Sequence, residues 1–133
     1  MDDHPLNHLR GELKERGVTS AAELVEAPHG MPVSVAGVVI TRQQPGTAKG
    51  VVFITLEDET GFANLILFRQ VFETELWTAL HSTLMLAHGE VERSPRTPGK
   101  EPSVIHVKVR KLERLDARGV PGRDISHVSR DFR

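Results

Sequence analysis

The side chains best suited to chemistry lie in mid-chain, where a ring and an amide interrupt aliphatic runs. Phe53 follows β-branched residues, and Asn64 is the one polar residue of a second apolar run. If Leu56 points inward next to the turn after it, strand alternation places Phe53 and Thr55 on the outer face. A flat outward ring can stack against a base, and an outward amide can hydrogen-bond a base edge.

Five basic residues flank or lie in two loops near this pair. They are Arg42, Lys49, Arg93, Arg96 and Lys100. A Lys or Arg that neutralises a phosphate releases counterions, so binding through such residues depends on salt. Loop residues are commonly charged and solvated, and each of the five taken alone has that ordinary explanation. Together they predict a groove that accepts a polyanion.

Other interpretations of these side chains remain open. A register shift of one residue would turn Phe53 into the core, and Asn64 could serve only to satisfy a strand edge. Phe68 shares a face with Asn64, but we expect it to pack under the next helix. We expect Trp77, on that helix, to cap the core.

No residue pattern indicates catalysis or a metal site. We expect Asp58, in the acidic turn at 57–59, to accept backbone N–H bonds before Gly61. His4 and His8 stand four apart, but no third metal ligand is evident. Since no catalytic motif is found, we predict no catalytic residue, no metal, no cofactor and no enzymatic activity.

Composition limits the class of protein. The chain has 133 residues and a net charge of −1, from 17 Lys and Arg against 18 Asp and Glu, which argues against binding nucleic acid through the whole surface. Cysteine is absent, so disulfides and thiolate ligands are excluded. No apolar run reaches membrane-spanning length and the acidic N-terminus is no signal peptide. We expect a cytoplasmic protein without membrane contacts.

The periodicity divides the chain into three segments. Residues 1–30 show helical spacing and include a capping-box pattern from Ser20 to Glu23, and this segment must pack on the rest of the chain, because its few apolar residues cannot form a core alone. Residues 31–115 alternate as strands. Residues 116–133 are polar, rich in Arg and expected to be flexible.

Five strands are predicted within residues 31–115. The expected strands are 31–41, 51–56, 62–68, 83–93 and 104–112, with an amphipathic helix at 70–80. Gly37, inside the first strand, suggests a bend or bulge. The fold class is mainly β, and the helix between strands three and four favours a five-stranded OB-fold Greek-key barrel over an SH3-like barrel or an open meander.

One stretch carries a specific family resemblance. Residues 42–50 read RQQPGTAKG and residues 53–61 read FITLEDETG. This stretch resembles the C-terminal OB-fold region of bacterial C-family DNA polymerase catalytic subunits, in the error-prone, damage-induced branch. The final SRDFR, at 129–133, resembles the end of those chains. Arg69, where the family often has Pro, and a Pro-rich loop at 94–103 depart from the pattern.

The resemblance implies a non-enzymatic module that binds single-stranded DNA, the template strand, within or beside a translesion polymerase. The chain lacks a polymerase body, so polymerase activity does not transfer to it. The candidate contacts are the five loop bases together with Phe53, Thr55 and Asn64. The alternative is an adaptor that docks polymerase accessory subunits or the sliding clamp, through the barrel or through a tail motif anchored by Ile125, Val128 and Phe132.

Overall fold

A computed structural model describes residues 5–44, 50–93 and 105–115. A 3-10 turn (Pro5–His8) precedes the remaining elements. These are α1 (Arg10–Glu15), α2 (Ala21–Leu24), β1 (Pro32–Gln43), β2 (Val52–Asp58), β3 (Gly61–Leu67), α3 (Arg69–Thr74), α4 (Leu76–His81), β4 (Leu84–Arg93) and β5 (Ile105–Arg114).

The five strands close into one barrel in the order β1-β2-β3-β5-β4. All neighbours pair antiparallel except β3 and β5, which run parallel. With helices between β3 and β4, this is the predicted OB-fold barrel, and the predicted hairpin of β2 and β3 is also confirmed.

Strand β1 bends so that it can pair with two neighbours. Its first half pairs with β4 and its second half with β2. At Gly37 a Cβ atom would lie 2.8 Å from the carbonyl oxygen of Glu57, so only glycine allows the strands to approach this closely. The bulge itself lies further on, at Ile40, because Val39 pairs with Leu56 while Thr41 pairs with Thr55.

The main core fills the barrel with inward-facing aliphatic side chains. Along β2 the even-numbered residues Val52, Ile54 and Leu56 are buried and the odd-numbered ones between them are half-buried. Strand β3 alternates in the same way, with Leu65 and Leu67 fully buried. The predicted inward and outward sets on both strands are confirmed.

A second apolar cluster joins the N-terminal helices to the outside of the barrel. Four residues come from the N-terminal segment, namely Leu6, Leu9, Leu13 and Val18. They pack on strand and terminal residues, which are Ala36, Leu84, Leu86 and Leu115. Leu6 and Leu13 are fully buried, so this segment shares a core with the strands.

Asp58 fastens the same segment to the β2–β3 turn. Its Oδ1 accepts bonds from the backbone N–H of Thr60 at 2.7 Å and of Gly61 at 3.0 Å, as predicted. Its Oδ2 accepts the N–H of Ala21 at 2.8 Å, at the start of α2. Arg10 reaches both Asp58 and Glu59, and the hydrogen bond to Glu59 raises the pKa of Arg10 above its ordinary value.

The helix expected at 70–80 differs from the prediction. It divides at Glu75 into α3 and α4, and the carboxylate of Glu75 accepts the backbone N–H of Leu112 at 3.3 Å. Ala79 is the fully buried residue of α4, whereas Leu76, Trp77 and Leu80 are 44%, 50% and 45% exposed. The expectation that Trp77 caps the core is therefore wrong, because α4 turns its small residue inward and its large ones outward. No helix in the described residues is long and apolar enough to span a membrane.

Candidate nucleic-acid interface

The outer face of β2 and β3 brings the predicted sheet residues together. Phe53 lies opposite Ile66, and Thr55 lies opposite Asn64. The Thr55 hydroxyl donates a hydrogen bond to the side-chain oxygen of Asn64, at 3.2 Å. Asn64 is exposed and sits mid-strand, and its side-chain amide group carries N–H donors that suit a base edge.

The Phe53 ring is half-buried on this face. Its centroid lies 5.8 Å from that of His106, on β5, with the ring planes tilted by 51°. This spacing is typical of a favourable aromatic contact. His106 thus packs beside the half-buried Phe53 ring and restrains it on this face.

Phe68 departs from its predicted position. It is 40% exposed, directly before α3, so the expectation that it packs under the helix is wrong. The ammonium of Lys108 lies 5.4 Å from the Phe68 ring centroid, within the range of a cation–π interaction. The Phe68 ring therefore contacts the Lys108 ammonium through its face.

Arg42 binds a helix end. Its Nε donates to the carbonyl of Ala79 and one Nη donates to the carbonyl of Ser82, both at 2.6 Å. The cause is the bulge at Ile40, which places Arg42 opposite the inward-facing Ile54. The guanidinium therefore extends towards the end of α4.

Arg93 binds a second helix end. Its Nε donates to the carbonyl of Ala27 at 2.9 Å, and one Nη donates to the carbonyl of Val25, which caps α2. Both carbonyls lie just beyond the last residue of α2, Leu24, and a cation there can satisfy carbonyl groups that have no partner within the helix. Arg42 and Arg93 were both expected to bind phosphate, and in the structure each donates hydrogen bonds to backbone carbonyls.

The other candidates lie outside the described residues. Among the loop bases these are Lys49, Arg96 and Lys100, and in the tail they are Ile125, Val128 and Phe132. Their assignment rests on the sequence alone.

Two residues on β5 join the site without having been predicted. His106 contacts Phe53, and Lys108 lies opposite Ile66 in the parallel pairing of β3 and β5. The signal was present in the sequence. Val107 and Val109 alternate with polar residues, and a strand next to β3 must turn those polar residues outward, beside Asn64 and Ile66.

A separate polar cluster joins three strands on the opposite side of the barrel. His88 lies 2.7 Å from the Ser34 hydroxyl through Nδ1 and 2.7 Å from the Glu113 carboxylate through Nε2. A neutral imidazole has one donor and one acceptor nitrogen, and these two partners satisfy both. The cluster stabilises the pairing of β1, β4 and β5.

The side chains of the face determine which ligand chemistry it suits. Within residues 5–44, 50–93 and 105–115, no three acidic or His side chains are grouped to hold a metal ion. What the face offers is an aromatic ring, an amide, aliphatic surface and a cation, which together suit bases and phosphates.

Comparison with known proteins agrees with this geometry. A family model described as an OB-fold nucleic acid binding domain matches residues 33–113. The "Error-prone DNA polymerase" of Caulobacter vibrioides is 41% identical over 114 residues, which are 86% of this chain and 10% of that protein. The protein of the same name from Dechloromonas aromatica is 40% identical over 132 residues, or 99% of this chain and 12% of that protein. The expected resemblance is confirmed, and the chain spans about a tenth of the length of these relatives.

Among solved structures, asparaginyl-tRNA synthetase from Pyrococcus horikoshii matches with a TM-score of 0.57 and 25% identity. The match covers 72% of this chain and 22% of that chain. Aspartyl-tRNA synthetase from Entamoeba histolytica matches with a TM-score of 0.56 at 15% identity, over 77% of this chain and 21% of that chain. The latter likeness shows a shared fold.

Proposed function

Since this chain belongs to the family of OB-fold nucleic acid binding domains, we propose that the outer face of β2, β3 and β5 binds single-stranded DNA as a non-enzymatic module. The setting is an error-prone DNA polymerase or a complex that contains one, in the bacterial cytoplasm. Within it, residues 31–115 form the binding domain, residues 1–30 support it, and residues 116–133 are a basic tail.

The carrying observation is the position of Phe53. Its ring lies on the outer face, supported by His106 on β5 and next to Ile66 on β3. Base–aromatic stacking needs a rigid, accessible ring, and this contact removes much of the ring's freedom before a ligand arrives. Asn64, two residues along β3 from Ile66 on the same face, offers its amide to the edge of the same or the next base.

Relatives named error-prone DNA polymerase support the choice of DNA over RNA. The likeness to an asparaginyl-tRNA synthetase makes RNA the competing ligand. The 2′-hydroxyl distinguishes the two at a given site, so matched oligonucleotides decide between them.

The test is fluorescence anisotropy of labelled DNA and RNA oligonucleotides of one sequence with the full chain. We expect DNA to bind and Phe53→Ala to weaken binding by about 1–3 kcal/mol, a roughly 5- to 150-fold rise in Kd. Trp77→Ala is the matched control, because it removes an exposed aromatic ring on α4, which is not one of the strands of the proposed face.

Two results would reject the proposal. One is the absence of binding to DNA even at low salt. The other is an equal loss of affinity in the Phe53 and Trp77 variants, because the ring on the sheet would then have no special part. Tighter binding to RNA would retain the site and change its ligand.

One observation favours a second candidate, a protein adaptor that docks polymerase accessory subunits. Leu76, Trp77 and Leu80 expose large apolar surface on one short helix, and tryptophan is enriched among residues that dominate protein interfaces. Surface plasmon resonance with a purified sliding clamp and a purified accessory subunit tests it. Binding lost in Trp77→Ala supports docking through α4, loss in Phe132→Ala supports the tail, and no binding by the full chain rejects the adaptor.

A further inference from the structure

Most arginines of the described residues are committed to partners within the protein. Arg10, Arg16, Arg69 and Arg110 pair with carboxylates. Arg42 and Arg93 bind carbonyls at helix ends. A phosphate that approaches the sheet face must therefore compete with an existing bond at each of these six residues.

Lys108 is placed differently. It is exposed on the outer face of β5, opposite Ile66 on β3, which in turn lies opposite Phe53 on β2. The three form one row across neighbouring strands. No ion pair joins Lys108 to a carboxylate within the described parts of the chain, and Glu90, its neighbour on β4, is paired with Arg110 at 3.1 Å.

We infer that Lys108 binds a backbone phosphate of the single strand whose base stacks on Phe53. The inference rests on the proposed function and deepens it, because it moves the phosphate contact from the loops to β5. Two strand spacings separate the ends of the row, roughly 9–10 Å, so the bound strand crosses β3 from the ring to the ammonium.

Phe68 is the positioning residue for this cation. A free lysine side chain loses rotamer entropy when a ligand fixes it. The Phe68 ring, 5.4 Å from the ammonium, restrains the side chain before the ligand arrives. The ring face contacts one side of the ammonium, so the N–H donors on the other side remain for phosphate oxygens.

The experiment measures the salt dependence of binding to a labelled single-stranded DNA oligonucleotide by the full chain. Removing one phosphate contact lowers the slope of log K against log salt by about 0.7 in magnitude for a single strand. We expect that decrease in Lys108→Ala and an unchanged slope in Lys108→Arg, which retains the charge. Lys111→Ala is the matched control, since Lys111 is an exposed cation of the same strand. It lies opposite His88, in the part of β5 that pairs with the polar cluster of His88, Ser34 and Glu113.

A double-mutant cycle tests the part of Phe68. We expect Phe68→Leu to weaken binding several-fold in the native background and to have no further effect when Lys108 is already Ala. Phe68→Tyr retains an aromatic face and restores binding. A ring that only stabilised the fold would weaken binding equally in both backgrounds.

The outcomes separate this inference from the function on which it rests. If the native chain binds no DNA at low salt, both fail. If the native chain binds and Lys108→Ala retains its slope, or Lys111→Ala loses as much slope, the phosphate contact at Lys108 is refuted and the sheet interface stands.

Discussion

At the scale of single residues, the contrast between Arg42 and Lys108 arises from the chemistry of their side chains. A guanidinium is always charged and presents several N–H donors in one plane, so Arg42 reaches two carbonyls at the end of α4 at once. An ammonium is a compact charge on a flexible stem, and Lys108 keeps it over a ring on the open sheet. The former geometry stabilises the protein, and the latter leaves a charge available to a ligand.

Asp58 gives the sharpest residue-scale prediction for stability. Its carboxylate is 5% exposed and accepts three backbone N–H bonds, from Ala21, Thr60 and Gly61. Asp58→Ala leaves these donors without an acceptor, and we expect a loss of roughly 3 kcal/mol in the free energy of unfolding. Urea denaturation followed by circular dichroism measures it.

The neighbouring Glu57 provides the control for Asp58. It belongs to the same strand end but is only half-buried, so Glu57→Gln should change stability by less than about 1 kcal/mol. Equal losses in both variants would show that general charge in the turn matters and that the bonds of Asp58 do not.

The turn bonds of Asp58 and the outward positions of Phe53 and Asn64 could be predicted from the sequence, because each depends on a local pattern. A carboxylate before a glycine turn and strict strand alternation are short-range rules. The hydrogen bonds of Arg42 to the end of α4 were not predicted, because the bulge at Ile40 reverses the faces of the residues after it. The signal for a bulge at that position is absent from the sequence, where Val39, Ile40 and Thr41 all favour strand.

At the scale of elements, Gly37 allows β1 and β2 to approach each other closely. A Cβ there would meet backbone, the carbonyl oxygen of Glu57 at 2.8 Å, and backbone in a closed barrel has little room to shift. We expect Gly37→Ala to lower the free energy of unfolding by about 1–3 kcal/mol, measured by urea denaturation.

The same substitution at Gly11, in α1, is the control. Among the described residues, no atom outside its own helix and neighbours lies within 4 Å of a Cβ built there, and alanine is the better helix former by up to about 1 kcal/mol. Gly11→Ala should therefore be neutral or stabilising. If both variants lose stability alike, close approach at Gly37 is not the reason.

The capping box of α2 gives a pH dependence whose sign can be derived. The N–H of Ser20 bonds to the Glu23 carboxylate at 2.9 Å, and this bond lowers the pKa of Glu23 below its ordinary value. A lowered pKa contributes stability above the pKa of the unfolded chain, about 4.3, and that contribution is lost as the pH falls through the folded value.

We therefore expect Glu23→Gln to be less stable than the native chain near neutral pH, and the difference to close below about pH 4. Urea denaturation at a series of pH values measures it. Glu26→Gln, at an exposed acid just after α2, is the control and should change stability little near neutral pH. A gap for Glu23→Gln that persists in acid would argue against the capping bond as its cause.

The elements were predictable to different degrees. The Ser20 and Glu23 pattern predicted the start of α2, and the capping box is present. The helix at 70–80 was predicted as one piece, because Val71, Phe72, Leu76 and Leu80 have helical spacing. The bond from Leu112 to Glu75 is a long-range tertiary contact, and no local pattern reports it.

At the scale of the whole molecule, the N-terminal helices and the barrel should unfold together. Leu13 is fully buried in a cluster that includes Leu84 and Leu86 of β4. We expect Leu13→Ala to cost about 2–5 kcal/mol and to leave one cooperative transition. Urea denaturation and native-state hydrogen exchange of the barrel amides measure it.

Leu80→Ala is the matched control for Leu13, since the same atoms are removed from a side chain that is 45% exposed. Its cost should be much smaller. A two-step transition in Leu13→Ala, or equal costs in the two variants, would mean that the N-terminal helices are independent of the barrel.

The architecture of the molecule was the easiest part to predict. Few closed barrels can be built from five strands with a helix between the third and the fourth. The observed strand order, β1-β2-β3-β5-β4, is one of them. The composition of the interface was harder, because it depends on which strands are neighbours. His106 and Lys108 are far from Phe53 in sequence and share its face only because β5 lies beside β3.

The exposed position of Trp77 has a practical consequence for spectroscopy. It is the only tryptophan of the chain, it is half exposed when the protein is folded, and its ring centroid lies 4.8 Å from that of His81. Intrinsic fluorescence from this indole will report on the surroundings of α4, and its emission maximum will shift little when the barrel unfolds. Quenching by a soluble quencher will be efficient in the native state, so the indole serves as a built-in probe for any partner that covers this helix.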